Sequence, residues 1–525
     1  MSSLGGGPAA DPGAGRAAAD ATTGSSVLAG GAWHATSLIL PQLYIVVISV
    51  VAARVLGPDG MGKQSFIAFV QLSVVLVFSA GMAASLMRFI GEIVGRGRGD
   101  LVRSLVAWGW RIQLAASVAG GAVLVLAALL RAELQEAWLL AAVGAAFAVL
   151  HAVPTSVLLG MQRWREASIV GLATGSVGTV ATVVVLLAGG GITGMFAVEA
   201  VVSAVGLAWT SWYARRYLAG LSHEGGSVAE IRGPVVRFAA FSLARAVLSL
   251  VVWRRSEFFF LDWYSTDTQI ALYSVTFAAV TALGRIPAAL AAVSTPAFAT
   301  LYGAGDMERI RAGFERGARL MLYVAMPMTA AVLALGPEAL RLVYGEDYSG
   351  TGPVLVVMMV VFPLLPLFWL SAALTSGLGK IRTPLLLATG AAVVNIALDF
   401  WLVASYDAVG AAMANSAAQL VATIPLIAYS ASLVGGVEWR WWSLLRVAAV
   451  SAVAGLAAAL PMVGYGGVVG LVLGGLVGSA VFAVAAVAVR PFPSSDLRWL
   501  DEAVGERVGG SIGTVLRTVD RLASH

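Results

Sequence analysis

The sequence predicts an all-α integral membrane protein of about fourteen transmembrane helices: two repeated six-helix bundles plus two C-terminal helices. Three observations carry that prediction. Of 525 residues, 59% are hydrophobic and only 12% charged, whereas an ordinary soluble chain is about a quarter charged. Apolar runs long enough to cross a bilayer, roughly 18 residues or more, recur from end to end. The charged connections between them repeat at a nearly constant offset.

The same composition removes other classes. A net charge of +5 is what a membrane protein collects in its cytoplasmic loops, and it does not point to nucleic acid. There is no cysteine, which excludes disulfides, thiolate metal sites and cysteine nucleophiles. His34 and His151 have no acidic or histidine partner at metal-ligand spacing, so neither a metal nor a cofactor is expected.

Residues 1–26 are Gly, Ala, Ser and Asp without periodicity and read as a disordered cytoplasmic tail. They lack the basic start, apolar core and cleavage site of a signal peptide, so the first span does the targeting. Spans 1 to 6 fall near 33–52, 66–87, 106–130, 136–160, 168–188 and 195–213. A cytoplasmic linker at 217–237 separates this bundle (27–216) from the next (238–432). Spans 7 to 12 fall near 238–261, 270–298, 320–335, 353–376, 384–404 and 410–432. Spans 13 and 14, near 447–464 and 467–489, occupy 433–490. The tail 491–525 places Leu497, Leu500, Val504, Val508 and Ile512 at helical spacing, as in a surface-lying amphipathic helix.

Orientation follows from the basic residues. With the N-terminus inside, the inner connections hold Arg88, Arg96, Arg98, Arg103, Arg163, Arg165, Arg215, Arg216, Arg232 and Arg237 in the first half. In the second half they hold Arg309, Arg311, Arg316, Arg319, Lys380, Arg382, Arg440 and Arg446. The outer connections hold only Arg54, Lys63, Arg131 and Arg341. That bias puts both termini in the cytoplasm. The longest outer connection, at 336–352, is too short for a folded extracellular domain.

The repeat lies in the inner loops. GDLVR (99–103) matches GDMER (305–309), and GMQRWR (160–165) matches GLGKIR (377–382), at offsets of 206 and 217 residues. A weaker pair is GMFAVEA (194–200) with GAAMANS (410–416). Each offset spans six helices, an even number, so both halves enter the membrane in the same direction. Parallel repeats of this kind place their binding site at the repeat interface.

The stretch AARVLGPDGMGKQSFIAFVQLSVVLVFSAGMAASLMRFIGE (52–92) resembles the opening of the polysaccharide and lipid-linked oligosaccharide flippases. These belong to the multidrug/oligosaccharidyl-lipid/polysaccharide exporter superfamily. The resemblance continues in ALYSVTFAAVTALGRIPAALAAVSTPAFATLYGAGD (271–306) and GPEALRLVYGEDYSGTGPVL (336–355). It extends through SGLGKIRTPLLLATGAAVVNIALDFWLV (376–403) and VGAAMANSAAQL (409–420), covering about 30–435. It implies two bundles around a V-shaped central cavity that opens alternately to each side. It also implies a monomeric, non-enzymatic transporter in the cytoplasmic membrane, whose partner is a lipid-linked glycan.

Charges within the spans are the candidate site residues. A charge at mid-bilayer costs at least about 2.5–3.5 kcal/mol, so Arg111, Arg245, Arg254, Arg255, Arg285, Glu199, Glu257 and Asp399 should face protein or water. Arg285, in the middle of span 8 beside Pro287, is either a substrate-phosphate contact or half of an ion pair. Ser242, Arg245, Ser249 and Ser256 share a face at helical spacing in span 7, with Arg255 about 80° from Arg245. Arg254 and Glu257, three apart, form a candidate pair near the outer interface. Gln42 and Tyr44 beside Pro41 make span 1 polar and bent, a cavity signal. Asn395 and Asp399 lie one turn apart in span 11, a spacing that recurs in the family the chain resembles. Asn415 and Glu199 occupy corresponding repeat positions. These last four, with Glu257, are candidates for ion coupling or for helix-packing hydrogen bonds.

The resulting function is a flippase for an isoprenoid-phosphate-linked sugar or oligosaccharide, serving surface polysaccharide or glycoprotein synthesis. Arginine suits the phosphate because its planar donors bind two oxygens at once. The alternative in the same superfamily is a cation-coupled multidrug exporter, against which span 1 contains no acid. A membrane glycan polymerase or ligase is disfavoured by short outer loops without histidine. The absence of native cysteine makes the topology testable. Single cysteines at Ser265 and Ser349 should react with an impermeant thiol reagent on intact cells, and one at Ser376 should not. Labelling at Ser376 from outside would reverse the second bundle.

Overall fold

The computed structural model describes residues 24–131, 133–221, 226–253, 256–493 and 496. Most of the expected tail 1–26, and the amphipathic helix expected at 494–522 apart from Asp496, lie outside these residues. The helices of the first half are α1 (Gly24–Gly95), α2 (Gly99–Leu130), α3 (Gln135–Gly160), α4 (Trp164–Leu187) and α5 (Gly191–Ala219). The second half comprises α6 (Arg232–Trp253), α7 (Glu257–Tyr264), α8 (Asp267–Gly303), α9 (Met307–Tyr344), α10 (Thr351–Val361) and α11 (Leu365–Gly377). It continues with α12 (Arg382–Leu433), and α13 (Trp441–Gly464) and α14 (Gly467–Val489) complete it. No strand occurs among the described residues.

These elements reproduce the fourteen expected spans with informative differences. Spans 1 and 2 are the two arms of α1, broken at Gly57, whose φ of 69° is a backbone state that glycine adopts without a Cβ penalty. Spans 11 and 12 are the two arms of α12, broken at Asp407 (φ 50°). A Cβ on Gly410 would lie 1.9 Å from the Leu402 carbonyl oxygen. Residues eight apart on a straight helix are separated by about 12 Å, so the chain folds back on itself there. Span 7 is divided into α6 and α7, and span 10 into α10 and α11 around Pro363 and Pro366. The outer connection expected at 336–352 is mostly helical: α9 continues to Tyr344, where Arg341 pairs with Glu338 and Glu346. The arginines expected in the preceding inner loop, from Arg309 to Arg319, likewise sit on an extension of α9. The matched GD loops differ in detail. Asp306 caps α9 by accepting from Arg309 N at 3.1 Å, while Asp100 accepts instead from Arg98 Nε at 3.1 Å.

The chain divides into two compact units: the described part of Met1–Ile48 with Val74–Leu243, and Ser49–Ser73 with the described part of Ala244–His525. In the first, Leu86, Ile90, Leu101, Leu105, Val153, Val157 and Val235 form a buried core. Its polar side chains find partners inside the protein, as lipid supplies none. Gln113 Nε2 donates to Val149 O (2.9 Å), Ser117 Oγ to Ala146 O (3.0 Å), and His151 Nε2 meets Thr210 Oγ1 at 2.9 Å. Arg103 donates to Leu218 O (2.6 Å) and Ser104 to Gly226 O (2.7 Å), so the end of α5 and the linker are tied to α2.

In the second unit, the segment 49–73 around the α1 break is held by residues far along the chain. Arg54 Nε donates to Val343 O at 2.8 Å, Ser65 meets Ser274 at 3.0 Å, and Gly62 lies against the Asp267 carbonyl. Phe298, Phe314, Leu322, Leu370, Leu374 and Val447 belong to its main apolar core. α14 packs on α13 through buried Gly470, Gly474 and Gly478, every fourth residue, where small residues let helix backbones approach in lipid. Arg319 and Asp496 form a buried bidentate ion pair (2.9 Å for both bonds) that fixes the segment after α14 to α9.

A Cβ on Gly62 would lie 1.8 Å from Asp267 O. Gly62→Ala and Gly410→Ala should therefore each destabilise the protein by about 1–3 kcal/mol or more, seen as a lower thermal midpoint in detergent. Gly171→Ala, with nothing within 4 Å of the new methyl, should leave the midpoint unchanged or raise it.

Candidate functional site: a buried carboxylate and carboxamide cluster

α7 places Glu257 in its first turn, with 0% of its surface exposed. The first arm of α12 brings Asn395 and Asp399, both 0% exposed, and the second arm brings buried Asn415. Asn415 Nδ2 donates to Glu257 Oε1 at 2.7 Å and Asn395 Nδ2 to the same oxygen at 3.2 Å. Asn395 Nδ2 also donates to Asp399 Oδ2 at 2.9 Å, so one amide bridges two carboxylates. Gln419 Nε2 donates to Asn415 Oδ1 at 2.6 Å and extends the network by a turn. Asn395 Oδ1 and Asp399 Oδ1 are buried without a hydrogen-bond partner.

The depth of the cluster follows from the helix ends. Glu257, Asp399 and Asn415 each lie seven or eight residues from Tyr264 or the Asp407 break, roughly 10–12 Å at the helical rise. Those ends are joined, because Ser265 Oγ donates to Asp407 Oδ1 at 2.5 Å. Aromatic rings surround α7 on the way in. Phe69 packs edge-on against Phe258 and Phe259 (5.2 and 5.1 Å between centroids), Phe258 against Tyr273 (5.8 Å), and Phe260 against Phe400 (4.9 Å). They keep water from the carboxylates, which raises the cost of holding two negative charges there to several kcal/mol per ion. An all-oxygen set of two carboxylates and amide carbonyls suits a hard cation or a shared proton. Among the described residues, no group of three or more His, Cys, Asp or Glu side chains is placed to hold a metal ion. A cation here would depend on amide oxygens as well as carboxylates.

The polysaccharide biosynthesis protein family model matches residues 51–353. The chain belongs to this family. Its structure is similar to that of the lipid II flippase MurJ in an inward closed conformation, with a TM-score of 0.69 and 15% identity. That alignment covers 87% of this chain and 98% of the flippase. An inward-facing multidrug resistance MATE family transporter of the MOP superfamily aligns with a TM-score of 0.62 and 16% identity, over 75% of this chain and 94% of that one. A MOP superfamily transporter from Pyrococcus furiosus gives 0.52 and 16%, over 76% and 95%. At such identities the likeness is one of fold: an all-α, multi-pass membrane transporter fold. No curated protein matches the sequence.

Within this polysaccharide biosynthesis chain, the cluster belongs to the second repeat alone. At the offset of 217 that relates the span 4–5 and 10–11 loops, Gly178 and Thr182 stand where Asn395 and Asp399 stand. Glu199, the repeat counterpart of Asn415, is exposed on α5 of the first unit, whereas Asn415 is buried in the second. Arg254, expected beside Glu257, and Arg255 lie outside the described residues, and Glu257 accepts from the Asn395 and Asn415 amides.

The expected serine–arginine face of span 7 does not hold as one surface. α6 ends at Trp253, Ser242 and Ser256 are buried, Ser249 is half-buried and Arg245 is exposed. Ser256 Oγ turns back to Val251 O at 2.8 Å, so helical spacing does not carry across the break. Arg285 is exposed on α8, and Arg111 on α2. Gln42 is half-buried, and the Tyr44 hydroxyl is engaged with Ser176 (2.6 Å) and the Leu172 carbonyl on α4. Gln419 and the aromatic shell were missed from sequence, although Gln419 sits one turn after Asn415 and the FFF run follows Glu257 directly.

Removing the shared acceptor should expose the cost of the network. Glu257→Leu leaves two buried amides without their partner and should cost about 2–5 kcal/mol. A double-mutant cycle with Asn415→Leu, read by thermal denaturation, should give a coupling of about 1 kcal/mol or more.

Proposed function

We propose that the protein translocates an isoprenoid-phosphate-linked sugar or oligosaccharide across the cytoplasmic membrane by alternating access, for surface polysaccharide or glycoprotein synthesis. Membership of the polysaccharide biosynthesis family over residues 51–353 carries this reading, and the fold shared with a lipid II flippase supports it. The protein works as a transporter and leaves its substrate chemically unchanged. The lipid tail stays in the bilayer while the phosphate and sugar cross through a hydrated, cationic route. Arg245, Arg255 and Arg285 are the proposed phosphate contacts, with Gln42 and Tyr44 lining the route from span 1. Net movement requires a gradient of the substrate or of a coupled ion, while the substrate shifts the inward–outward equilibrium by its differential affinity for the two states.

The buried cluster supplies a second element of the proposal. Glu257, Asp399, Asn395 and Asn415 would hold a monovalent cation, which together with one proton would neutralise the two carboxylates. Buried oxygens without a hydrogen-bond partner, Asn395 Oδ1 and Asp399 Oδ1 among them, support that fit. These residues link α7 to both arms of α12, so their charge state bears on how those three helical segments pack.

The MATE-like fold also supports a second reading, a cation-coupled multidrug exporter. A deletion strain separates the two. The flippase predicts complete lipid-linked glycan accumulating on the cytoplasmic leaflet and missing surface polymer, whereas the exporter predicts drug sensitivity with normal surface glycan. Lipid-linked glycan found on the outer leaflet would overturn the flippase. Arg285→Ala should abolish export with normal membrane abundance, and Arg285→Lys should restore part of it, keeping charge but losing the planar fork. Glu257→Gln and Asp399→Asn should each lose the dependence of export on a cation gradient; unchanged gradient dependence would leave the cluster a packing device.

A further inference from the structure

α13 begins and α14 ends at the same end of an antiparallel pair of candidate membrane spans. There the surface folds into a cavity of about 490 Å³ whose lining includes Arg440, Arg446, Arg490, Trp441 and Trp442, with no acidic side chain among the described residues that line it. The acids nearest in sequence are engaged or turned away. Asp496 is held by both donors of Arg319, and the Glu438 side chain is exposed outside the lining.

Three features of this cavity converge on one ligand chemistry. The first is cationic charge from three elements: Arg440 precedes α13, Arg446 lies in its second turn, and Arg490 ends α14. Arg446 stacks on the Trp442 ring at 5.6 Å, which orients its guanidinium. The second is the start of α13, which no side chain caps. The first amides of a helix lack internal partners and carry partial positive charge, so they bind oxyanions. The third is position. Trp441 and Trp442 are 66% and 68% exposed where two membrane helices reach the surface, the level at which tryptophan and lipid phosphate meet. Below them, exposed Leu445, Leu456, Val484 and Val487 continue an apolar face down both helices.

We propose that this cavity binds one anionic glycerophospholipid. Its phosphate lies among Arg440, Arg446, Arg490 and the start of α13, and its acyl chains run along the exposed face of α13 and α14. A free phosphate ion would satisfy the arginines but not the tryptophans or the apolar face, which selects the lipid. The site involves none of the residues assigned to substrate or cation, so it stands or falls independently of the flippase reading.

The test uses purified full-length protein in mixed micelles, with retained lipid counted by native mass spectrometry. Wild type should retain one phosphatidylglycerol in preference to phosphatidylcholine. Each arginine removed should weaken that preference by about fivefold, the effect of one cation at an anionic membrane surface. The triple variant R440Q/R446Q/R490Q should show no preference, and R490Q alone, at an exposed helix end, gives the single-step value without disturbing α13. Equal retention of phosphatidylcholine by wild type would overturn the proposal, as would undiminished preference in R490Q and the triple variant. Displacement of the lipid by millimolar inorganic phosphate would reassign the cavity to a soluble anion. Displacement by polyprenyl phosphate, which phosphatidylglycerol does not reverse, would reassign it to the transported lipid.

Discussion

Glu257 has no exposed surface, and amides from both arms of α12 donate to one of its oxygens. An acid in that position has to be satisfied by protein, because neither lipid nor bulk water reaches it. Much of the second unit can be understood as meeting that demand. The α12 break at Asp407 allows one helix to present Asn395 and Asn415 from two directions, and Gly410 permits the close fold-back. The tie from Ser265 to Asp407 keeps the end of α7 beside the α12 break. The aromatic rings of Phe69, Phe258 and Phe260 close the space around it. Charge burial of this kind contributes little to stability by itself, and its value lies in fixing which helices meet.

The two repeats have come to solve the same packing problem with different chemistry. The first unit uses neutral pairs, such as Gln113 with a carbonyl and His151 with Thr210. The second uses carboxylates, and its repeat counterparts in the first are Gly178 and Thr182. Among the described residues of the twelve repeated spans, the buried carboxylates, Glu257 and Asp399, both lie in the second unit.

Much of this was legible in the sequence because lipid imposes simple rules. Spans had to be apolar and about 20 residues long, and the GD and arginine loops marked the repeat. Asn395, Asp399, Glu257 and Asn415 stood out because polar residues in such runs are costly. Their meeting was not legible: the sequence separates spans 11 and 12 around 405–409, but nothing there says that their polar positions turn towards Glu257. The division of span 7 between Trp253 and Glu257 was hidden for another reason: no glycine or proline marks it, and helical spacing extrapolates straight through Arg254, Arg255 and Ser256. Extrapolating that spacing misplaced Ser256, which is buried, onto one face with exposed Arg245. Arg319 was read as a loop cation because its partner, Asp496, is 177 residues away.

The membership of Ser49–Ser73 in the second unit has a consequence for how the chain is made. Arg54 donates to the carbonyl of Val343, 289 positions downstream, and Gly62 lies under a backbone oxygen of Asp267. At about 5–20 residues per second, the ribosome needs roughly 15–60 s to deliver Val343 after Arg54. Throughout that interval the first helical pair sits in the membrane with its contact surface uncovered. Arg54 and Gly62 therefore wait for partners that only the second half of the chain supplies.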